Sequence, residues 1–552
     1  MLYIFKRDTE EKRKLKKNKL HFIPILFSIL CIGTLFLNTS VFVENQIFSK
    51  WLFAFTGLGG MGLAFSVMLL TEKKCLCKIR TLNAIIVFLC ALQAGYGVLQ
   101  FGNILPSVSG IYKVTGSFDN PAGFTGCLCG GLPFTIYFLL DMNSKRVRWY
   151  SWFAMFIIVV GILMSESRAG LLCIVIVAIV HFICCNVKKL RGRKAIIEFC
   201  SCVVLFLLST TFLFISVYQW KKDSADGRLL IWECTWEMMK DKPIIGHGIG
   251  AFEAHYMDYQ ADYFRKYPDS EFAMLADNVK HPFNELLSVG VQFGAVGWIL
   301  LIILCAFLFY CYKRRPSPEG YTALFALLSV AVFSMFSYPF SYPFTWIVVV
   351  WCVGVLIAKN YGDMDIWSIV GLKVRRVIAM ILIVISLLLL YGVTNRTVVE
   401  LEWRKISRLS LNGQTQAMLP RYDNLLADLG REPYFLYNYA AELCVAGKPE
   451  RSLKVAAICC HYWSDYDLEL LQAEAYISIK RFEEARNHLE KAALMCPVRF
   501  IPLYRLHYIY KEQGDKEKAD SLARFIVDKP VKVKSAIIRK IKKEMRSSYL
   551  DI

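Results

Sequence analysis

The sequence has few acidic side chains and little charge of either sign. Only 20% of its 552 residues are charged, with 45 Asp and Glu against 65 Lys and Arg, while 56% are hydrophobic. Soluble domains are about 45 to 50% apolar, so this composition excludes an ordinary cytosolic enzyme. A net charge of +20 would suit a nucleic-acid partner, but in so apolar a chain the position of the charges has to decide that question.

Three further absences narrow the class of site. The pair Cys75 and Cys77 has no second cysteine pair to complete a zinc site. No Asp-x-Asp pair lies in a membrane-proximal loop predicted to be exterior, so we expect neither a metal nor another cofactor. The first apolar segment ends at Asn38-Thr39-Ser40 without a small-x-small cleavage pattern, so we expect it to be a membrane span rather than a signal peptide.

Apolar windows long enough to cross a bilayer recur through the first 395 residues. About 20 residues at 1.5 Å each cover the roughly 30 Å of hydrocarbon. The sequence therefore predicts an all-α polytopic membrane protein with about eleven transmembrane helices. The windows are residues 20–39, 51–70, 83–101, 122–140, 149–164, 169–185, 196–217, 285–312, 322–338, 343–358 and 377–395.

Lys and Arg are concentrated in alternate connections between these windows. Eight precede the first window, and together these connections hold about 27. This alternation predicts a cytoplasmic N-terminus and an exterior C-terminus, and it makes the positive charge an orientation signal rather than a nucleic-acid site. The predicted domains are a basic cytoplasmic segment (1–19), a membrane domain (20–395) with a large exterior loop (218–284), and an exterior domain (396–552).

The exterior C-terminal domain contains a repeat of about 34 residues, the length of a tetratricopeptide helix pair. Ala485 and Ala519 are 34 residues apart, Pro497 and Pro530 are 33 apart, and a weaker copy surrounds Ser452. Three such pairs predict a small α-solenoid. It would either present a concave surface to a protein or glycan partner, or form a packed cap without a ligand. Its cysteines would either pair or be buried as small residues.

Three groups on the predicted exterior face can act together on a diphosphate. Asp226 is a plausible N-cap that would place Arg228 in the first turn of a helix, beside free backbone N–H groups. Arg168 lies in a tight connection at a membrane edge, and His281 precedes the eighth window. Two guanidinium groups can bind diphosphate oxygens while an imidazole accepts a proton, although a structural salt bridge is the alternative for each arginine.

Several motifs give the chain a family resemblance. In order they are Gly116-Ser117-Phe118-Asp119-Asn120-Pro121, Ser165-Glu166-Ser167-Arg168-Ala169-Gly170, Asp226-Gly227-Arg228-Leu229-Leu230-Ile231-Trp232, Lys242-Pro243-Ile244-Ile245-Gly246-His247-Gly248, and His281-Pro282-Phe283-Asn284-Glu285. Over about residues 110 to 355, this series resembles the O-antigen ligase and polymerase superfamily, whose members act on undecaprenyl-diphosphate glycans. A C-terminal tetratricopeptide domain is also familiar in such proteins.

The resemblance implies a glycosyltransferase-C-like enzyme of the bacterial inner membrane. It implies that Arg168 and Arg228 hold the diphosphate of an undecaprenyl-linked glycan, and that His281 is the general base. We predict Lys221 and Lys222 as further diphosphate-binding residues. The acceptor would be lipid A core, a growing polysaccharide or a protein. Family members often have His-x-His-Asn where this chain has Phe283, and Asp119 stands where Gly is common.

Two other classes of function remain open from the sequence. A membrane transporter would share the hydropathy, although the chain has no obvious inverted repeat and its candidate charges lie on one face. A scaffold would use the repeats to recruit partners to an inert membrane anchor.

Overall fold

The computed structural model describes residues 22–44, 47–71, 78–140, 144–186, 222–361 and 371–550. Over these residues the chain forms twenty α-helices, two short 3-10 helices and one π turn, without strands. The described residues divide into two compact units. Unit 1 comprises residues up to 214 and 302–401, and unit 2 comprises 215–301 and 402–552.

Unit 1 is built from apolar helices. They are α1 (Phe22–Phe36), α2 (Ile47–Thr71), α3 (Ile79–Phe101), α4 (Pro121–Leu139), α5 (Lys145–Met164), α6 (Arg168–Asn186), the second part of α9 (Glu285–Arg314), α10 (Pro318–Ser334), α11 (Pro343–Tyr361) and the first part of α12 (Leu372–Leu409).

Seven helices of the described chain are long and apolar enough to cross a membrane: α2, α3, α4, α5, α9, α11 and the run that starts with α12. Three shorter apolar helices, α1, α6 and α10, coincide with three further windows of the sequence. The remaining window, 196–217, lies outside the described residues. The chain is therefore a multi-pass membrane protein by helix length and composition, and the count of eleven spans stays a prediction.

Helix α4 lies at the centre of unit 1 and is packed through small residues. Within its apolar window 78% of the residues are buried, and it contacts α3, α5 and α10. A Cβ added at Gly131 would lie 2.3 Å from the Sγ atom of Cys90 on α3. Glycine at this position therefore permits the close helix approach that is typical of packing between transmembrane helices.

Four connections that the sequence predicts to be exterior meet at one end of unit 1. The Asn38 amide donates to the Ser117 carbonyl (3.0 Å), and the Trp51 indole donates to the Ser341 carbonyl (2.9 Å). Near the start of α4, the Thr125 hydroxyl donates to that of Ser165 (2.9 Å). With Trp51 and Thr125 near the starts of α2 and α4, these bonds link the chain around residues 38–44, 102–120, 165–167 and 335–342.

A different set of contacts lies at the opposite end of the same helices. The Tyr137 hydroxyl, near the end of α4, donates to the Glu319 carboxylate at the start of α10 (3.4 Å). That carboxylate also pairs with Lys359, near the end of α11 (3.2 Å). Lys145, Arg146 and Arg148 lie in the first turn of α5, the helix that follows α4, and the sequence predicts this end of the helices to be cytoplasmic.

Unit 2 combines the large loop with the C-terminal helices. Its helices are α7 (Lys222–Asp241), α8 (Ala251–Lys266), the start of α9, the end of α12, α13 (Thr415–Leu429), α14 (Pro433–Val445), α15 (Pro449–Cys459), α16 (Tyr466–Ser478), α17 (Phe482–Met495), α18 (Ile501–Glu512), α19 (Lys516–Asp528) and α20 (Ala536–Leu550). One hydrophobic cluster contains buried residues of both parts, among them Met238 and Tyr256 from the loop and Tyr466 and Met495 from the C-terminal helices. The loop and the C-terminal helices thus share a core.

The C-terminal helices form three successive hairpins: α14 with α15, α16 with α17, and α18 with α19. Each hairpin turns at a residue with positive φ, namely Gly447 (70°), Lys480 (59°) and Gly514 (76°). These turn residues are spaced at the 33 to 34 residues that the sequence repeat predicts. The small residues of the repeat, Ser452, Ala485 and Ala519, are all buried in the second helix of their hairpins. Assignment of these hairpins to the tetratricopeptide class stays a prediction. Cys444, Cys459, Cys460 and Cys496 are free thiols.

Candidate active site

Helix α7 carries Arg228 in its interior, so the prediction that Asp226 caps the helix is wrong. The described helix already begins at Lys222, and Arg228 is its seventh residue. Gly227 costs a helix interior about 1 kcal/mol. Leu230, Ile231, Cys234 and Met238 form a buried stripe along α7, and this packing outweighs that cost. Lys222 is exposed at the start of the helix, and Lys221 lies outside the described residues.

The large apolar side chains of α7 differ in their exposure. Met239 is buried in the unit 2 core, whereas Leu229 and Trp236 are 48% and 51% exposed. Trp232 has a more specific contact, because its indole N–H donates to the Pro282 carbonyl (3.0 Å). Helix α7 therefore touches the chain immediately after His281.

The Arg228 guanidinium lies over the ring of Phe283, 5.2 Å from its centroid. This cation–π contact is one helical turn from the Trp232 bond on the same helix. The two contacts hold α7 against Pro282 and Phe283, the residues that follow His281. The structure thus brings Arg228 to the segment that carries the predicted base, from 53 positions earlier in the chain.

We call residues 276–284 the histidine segment. It has no helical structure of its own and connects the 3-10 turn Glu271–Met274 to α9. At its end the Asn284 carboxamide accepts from the backbone N–H groups of Leu286 (2.9 Å) and Leu287 (3.2 Å), which caps α9. The backbone of Phe283 has a positive φ of 52°, which is costly for a bulky side chain and needs its surroundings to maintain it.

His281 is partly buried in this segment. Burial, reinforced by the positive charge of neighbouring Lys280, lowers the pKa of His281 to about 4. The imidazole is therefore neutral at pH 7, with a lone pair able to accept a proton. A bound anion would raise this pKa, because an opposite charge favours the protonated form.

Arg168 is the first residue of α6, in unit 1. The preceding turn has Glu166 at a positive φ of 52°, and the Ser167 hydroxyl accepts from the Gly170 N–H (3.3 Å) as an N-cap. Arg168 thus occupies the kind of position that the sequence analysis assigned to Arg228: the start of a helix, where backbone N–H groups and the helix dipole favour an anion. Arg228 and His281 belong to unit 2.

Asp119 and Tyr342 form a polar pair in unit 1 that the sequence analysis missed. The Tyr342 hydroxyl donates to the Asp119 carboxylate (3.0 Å), and its ring packs edge-on against Phe118 (5.2 Å). Burial raises the pKa of Asp119, and the bond from Tyr342 counteracts that rise. The two residues are 223 positions apart, and the only signal in the sequence was an Asp where the family motif usually has Gly.

A buried lysine also contacts the loop that contains Phe118 and Asp119. The Lys50 ammonium is 0% exposed and donates to the carbonyls of Leu35 (2.6 Å) and Ser117 (3.2 Å). It also lies 5.1 Å from the ring centroid of Phe118. These contacts fix the Gly116–Pro121 motif at the end of unit 1 that contains Arg168.

His247 contacts the later part of α7, near Met238. One of its ring nitrogens is 2.7 Å from the Met238 carbonyl, and its ring centroid is 5.8 Å from that of His255. The hydrogen bond ties the Lys242–Gly248 motif to α7. This motif therefore shapes the loop.

Comparison with known families is consistent with the motifs. Residues 153–302, about a quarter of the chain, match the family model Wzy_C, described as O-Antigen ligase. The matched region contains Arg168, Arg228 and His281, and it supports the resemblance to the O-antigen ligase superfamily. It points to glycan transfer of the ligase or polymerase type. No curated protein matches the chain.

Proposed function

We propose that the protein is a glycosyltransferase of the bacterial inner membrane that moves an undecaprenyl-diphosphate-linked glycan onto an acceptor hydroxyl at the periplasmic face. The observation that carries this proposal is the stacking of Arg228 on Phe283, two residues from His281. A cation stacked on the segment that carries a neutral imidazole provides the two groups needed to displace a diphosphate by a hydroxyl. The similarity to O-antigen ligases over the same residues supports it.

The proposed reaction is a single displacement without a metal. The acceptor oxygen attacks the anomeric carbon while its proton passes to the imidazole of His281. The bond between the anomeric carbon and the diphosphate oxygen breaks, and the configuration at that carbon inverts. Arg228 and Arg168 stabilise the charge that develops on the leaving diphosphate, with Lys222 and Lys221 adding positive charge.

The test uses full-length protein in lipid nanodiscs with an undecaprenyl-diphosphate glycan and candidate acceptors. Arg228→Ala and His281→Ala are expected to abolish transfer. Arg265→Ala and His461→Ala are matched controls, because both are exposed residues of unit 2 outside residues 276–284, and they should retain full activity. Full transfer by either Arg228→Ala or His281→Ala would overturn the assignment of these roles.

The same assay identifies the acceptor, which we propose to be lipid A core. Extension of a free glycan would instead make the protein a polysaccharide polymerase, and labelling of a Ser or Thr side chain would make it a protein O-oligosaccharyltransferase. The residues proposed to bind the glycan donor would be needed in all three reactions. Uptake of a solute by proteoliposomes without any glycan transfer would favour the transporter.

A variant that keeps the repeat domain intact separates the transferase from the scaffold. A scaffold requires its repeats but neither Arg228 nor His281, whereas the transferase requires both residues. Cells that carry His281→Ala with an intact repeat domain should therefore accumulate lipid-linked precursor and lose surface glycan. Normal surface glycan in such cells would favour the scaffold.

A further inference from the structure

The C-terminal hairpins contact the histidine segment directly. The Arg499 guanidinium, between α17 and α18, donates to the Asp277 carboxylate (2.7 Å). The Asn278 amide donates to the Asp465 carboxylate (2.6 Å), which also caps α16 through the Asp467 N–H (2.7 Å). Asp277 and Asn278, two successive residues of the segment, are thus bound by side chains that lie 222 and 187 positions later in the chain.

Lys280, the residue before His281, is held by the same domain. Its ammonium donates to the Tyr434 hydroxyl (2.9 Å) and lies 4.4 Å from the centroid of that ring. It is also 5.8 Å from the ring centroid of Trp463. Tyr434 in turn donates to Glu253 on α8. The lysine that lowers the pKa of His281 is therefore fixed by aromatic residues of the first hairpin and its following turn.

A buried glutamine side chain bridges the backbone of the segment and the backbone of the hairpins. The Gln260 amide, 0% exposed on α8, donates to the Asp277 carbonyl (3.1 Å) and to the Met495 carbonyl at the end of α17 (2.6 Å). Ala276 at the start of the segment is buried in the core that the loop shares with the hairpins. The position of the segment therefore depends on the hairpins at both side-chain and backbone level.

We propose that the C-terminal hairpins are the positioning element of the proposed base. Residues 277, 278 and 280 are bound by the hairpins, whereas Pro282 and Phe283 are bound by α7. His281 lies between these two sets of anchors, in a segment without helical hydrogen bonds to fix it. A displacement of about 1 Å in a reacting group is costly, so both sets are needed. This proposal rests on the proposed function, and it makes Arg499, Asp465 and Tyr434 positioning residues.

The test is a double-mutant cycle on Asp277 and Arg499 in the nanodisc assay. Their side chains are 55% and 38% exposed, so removal of the ion pair should leave the fold intact. We expect Asp277→Ala and Arg499→Ala each to lower kcat about 2- to 5-fold, the range of an exposed ion pair, with the KM for donor unchanged. The double variant should lose no more than either single variant.

The matched control is Arg505→Ala, which breaks a pair with Glu474 (2.8 Å) of similar exposure inside the hairpins. It should leave kcat unchanged. Hydrogen exchange of the peptide containing residues 276–284 should rise in Arg499→Ala and not in Arg505→Ala. Equal effects of Arg499→Ala and Arg505→Ala, or additive losses in the cycle, would overturn the positioning role. An active His281→Ala would instead overturn the proposed function, so the two failures can be told apart.

A separate observation concerns a break in helix α9. Gly294 has φ 60° and ψ −151°, which interrupts the helix. The 243–250 loop supplies the missing partners: the N–H groups of Ala295 and Val296 donate to the carbonyls of Pro243 (2.8 Å) and Ile244 (3.1 Å). In return the His247 N–H donates to the Val291 carbonyl (2.7 Å). The loop is therefore fixed by its backbone against residues 291–296.

The side chains of this loop are unusually apolar for an exposed turn. Ile244, Ile245 and Ile249 are 66%, 73% and 86% exposed. Counting about 20 residues back from Lys313, at the basic end of α9, places the other edge of a roughly 30 Å hydrocarbon layer near residue 293. The loop thus lies at the depth where the bilayer begins, next to α9 residues whose exposed side chains are also apolar.

We infer that the 243–250 loop inserts its isoleucines among the acyl chains of the outer leaflet. The test places the photo-crosslinking residue benzoylphenylalanine at position 249 in phospholipid nanodiscs without donor. A phospholipid adduct is expected at 249 and, as a positive control, at the exposed α9 residue Leu304, but not at exposed Asp269. Adducts only to protein, or no lipid adduct at 249 when 304 is labelled, would overturn this inference.

Discussion

Phe283 should set the affinity of the protein for its lipid-linked donor through the orientation of Arg228. The guanidinium lies 5.2 Å from the ring centroid, within the range of a cation–π contact. Such contacts are worth about 0.5 to 2 kcal/mol, or about 2- to 30-fold in a binding constant. Phe283→Leu keeps a bulky apolar side chain at the positive φ but removes the aromatic face. The substitution therefore measures the contribution of the cation–π contact.

We expect Phe283→Leu to raise the KM for the donor by about 2- to 30-fold, measured in nanodiscs against the purified lipid-linked glycan. Phe283→Tyr keeps the ring and should match the parent protein. Phe272→Leu is the matched control, because Phe272 is an aromatic residue that packs against the same core from the 3-10 turn Glu271–Met274. An unchanged KM in Phe283→Leu, or an equal rise in Phe272→Leu, would refute the proposed role of the stacked guanidinium.

Three further predictions follow from the described geometry. The kcat/KM should be constant from pH 8 down to about 5 and fall with an apparent pKa near 4, because His281 must be neutral to accept a proton. Lys280→Met removes the positive charge next to His281, so the acidic fall of kcat/KM should move to higher pH. Gly294→Ala should lower the thermal midpoint more than Gly354→Ala, since its Cβ would lie 2.4 Å from the Ile244 carbonyl oxygen at a backbone angle that favours glycine. Tyr342→Phe should raise the pKa of Asp119 further by removing a hydrogen bond to the carboxylate, detectable by infrared titration of that carboxyl against a Tyr338→Phe control.

Local patterns in the sequence predict the parts of the fold that depend on neighbouring residues. The hairpin turns at Gly447, Lys480 and Gly514 follow the repeat, because each hairpin uses the same spacing of small and large side chains. The Ser165–Gly170 motif is a tight turn for a local reason as well: the Ser167 hydroxyl caps the helix that follows. Arg168 is therefore the first residue of that helix, at the turn where the motif predicts a membrane edge.

The start of α7 shows where local reasoning fails. Asp226 followed by Gly227 is typical of a helix start, yet the helix continues through both residues. Its buried stripe packs against α8 and the core of unit 2, and burial of each large apolar side chain contributes about 1.5 to 3 kcal/mol, more than an N-cap. The place of Arg228 follows from that packing.

Contacts between distant parts of the chain could not be predicted from the sequence. The bonds from Tyr342 to Asp119 and from Arg499 to Asp277 join residues 223 and 222 positions apart. Hydrophobic periodicity reports which face of a helix is buried but not which residue it meets. The sequence could therefore nominate His281 from its motif, whereas its attachment to the C-terminal hairpins required the fold.

Restraint, more than the number of charges, distinguishes the proposed groups from the other basic residues. The excess of +20 is concentrated in connections that the sequence predicts to be cytoplasmic and to orient the chain in the membrane. Arg168 is fixed at the first position of α6, Arg228 over an aromatic ring, and His281 between two sets of anchors. Charge-assisted bonds to a diphosphate depend on the direction of the donor, and proton transfer depends on distance. A group held in place before substrate binds loses less entropy in the transition state. Substitutions that loosen these three residues should therefore lower glycan transfer at least as much as substitutions that remove basic residues elsewhere.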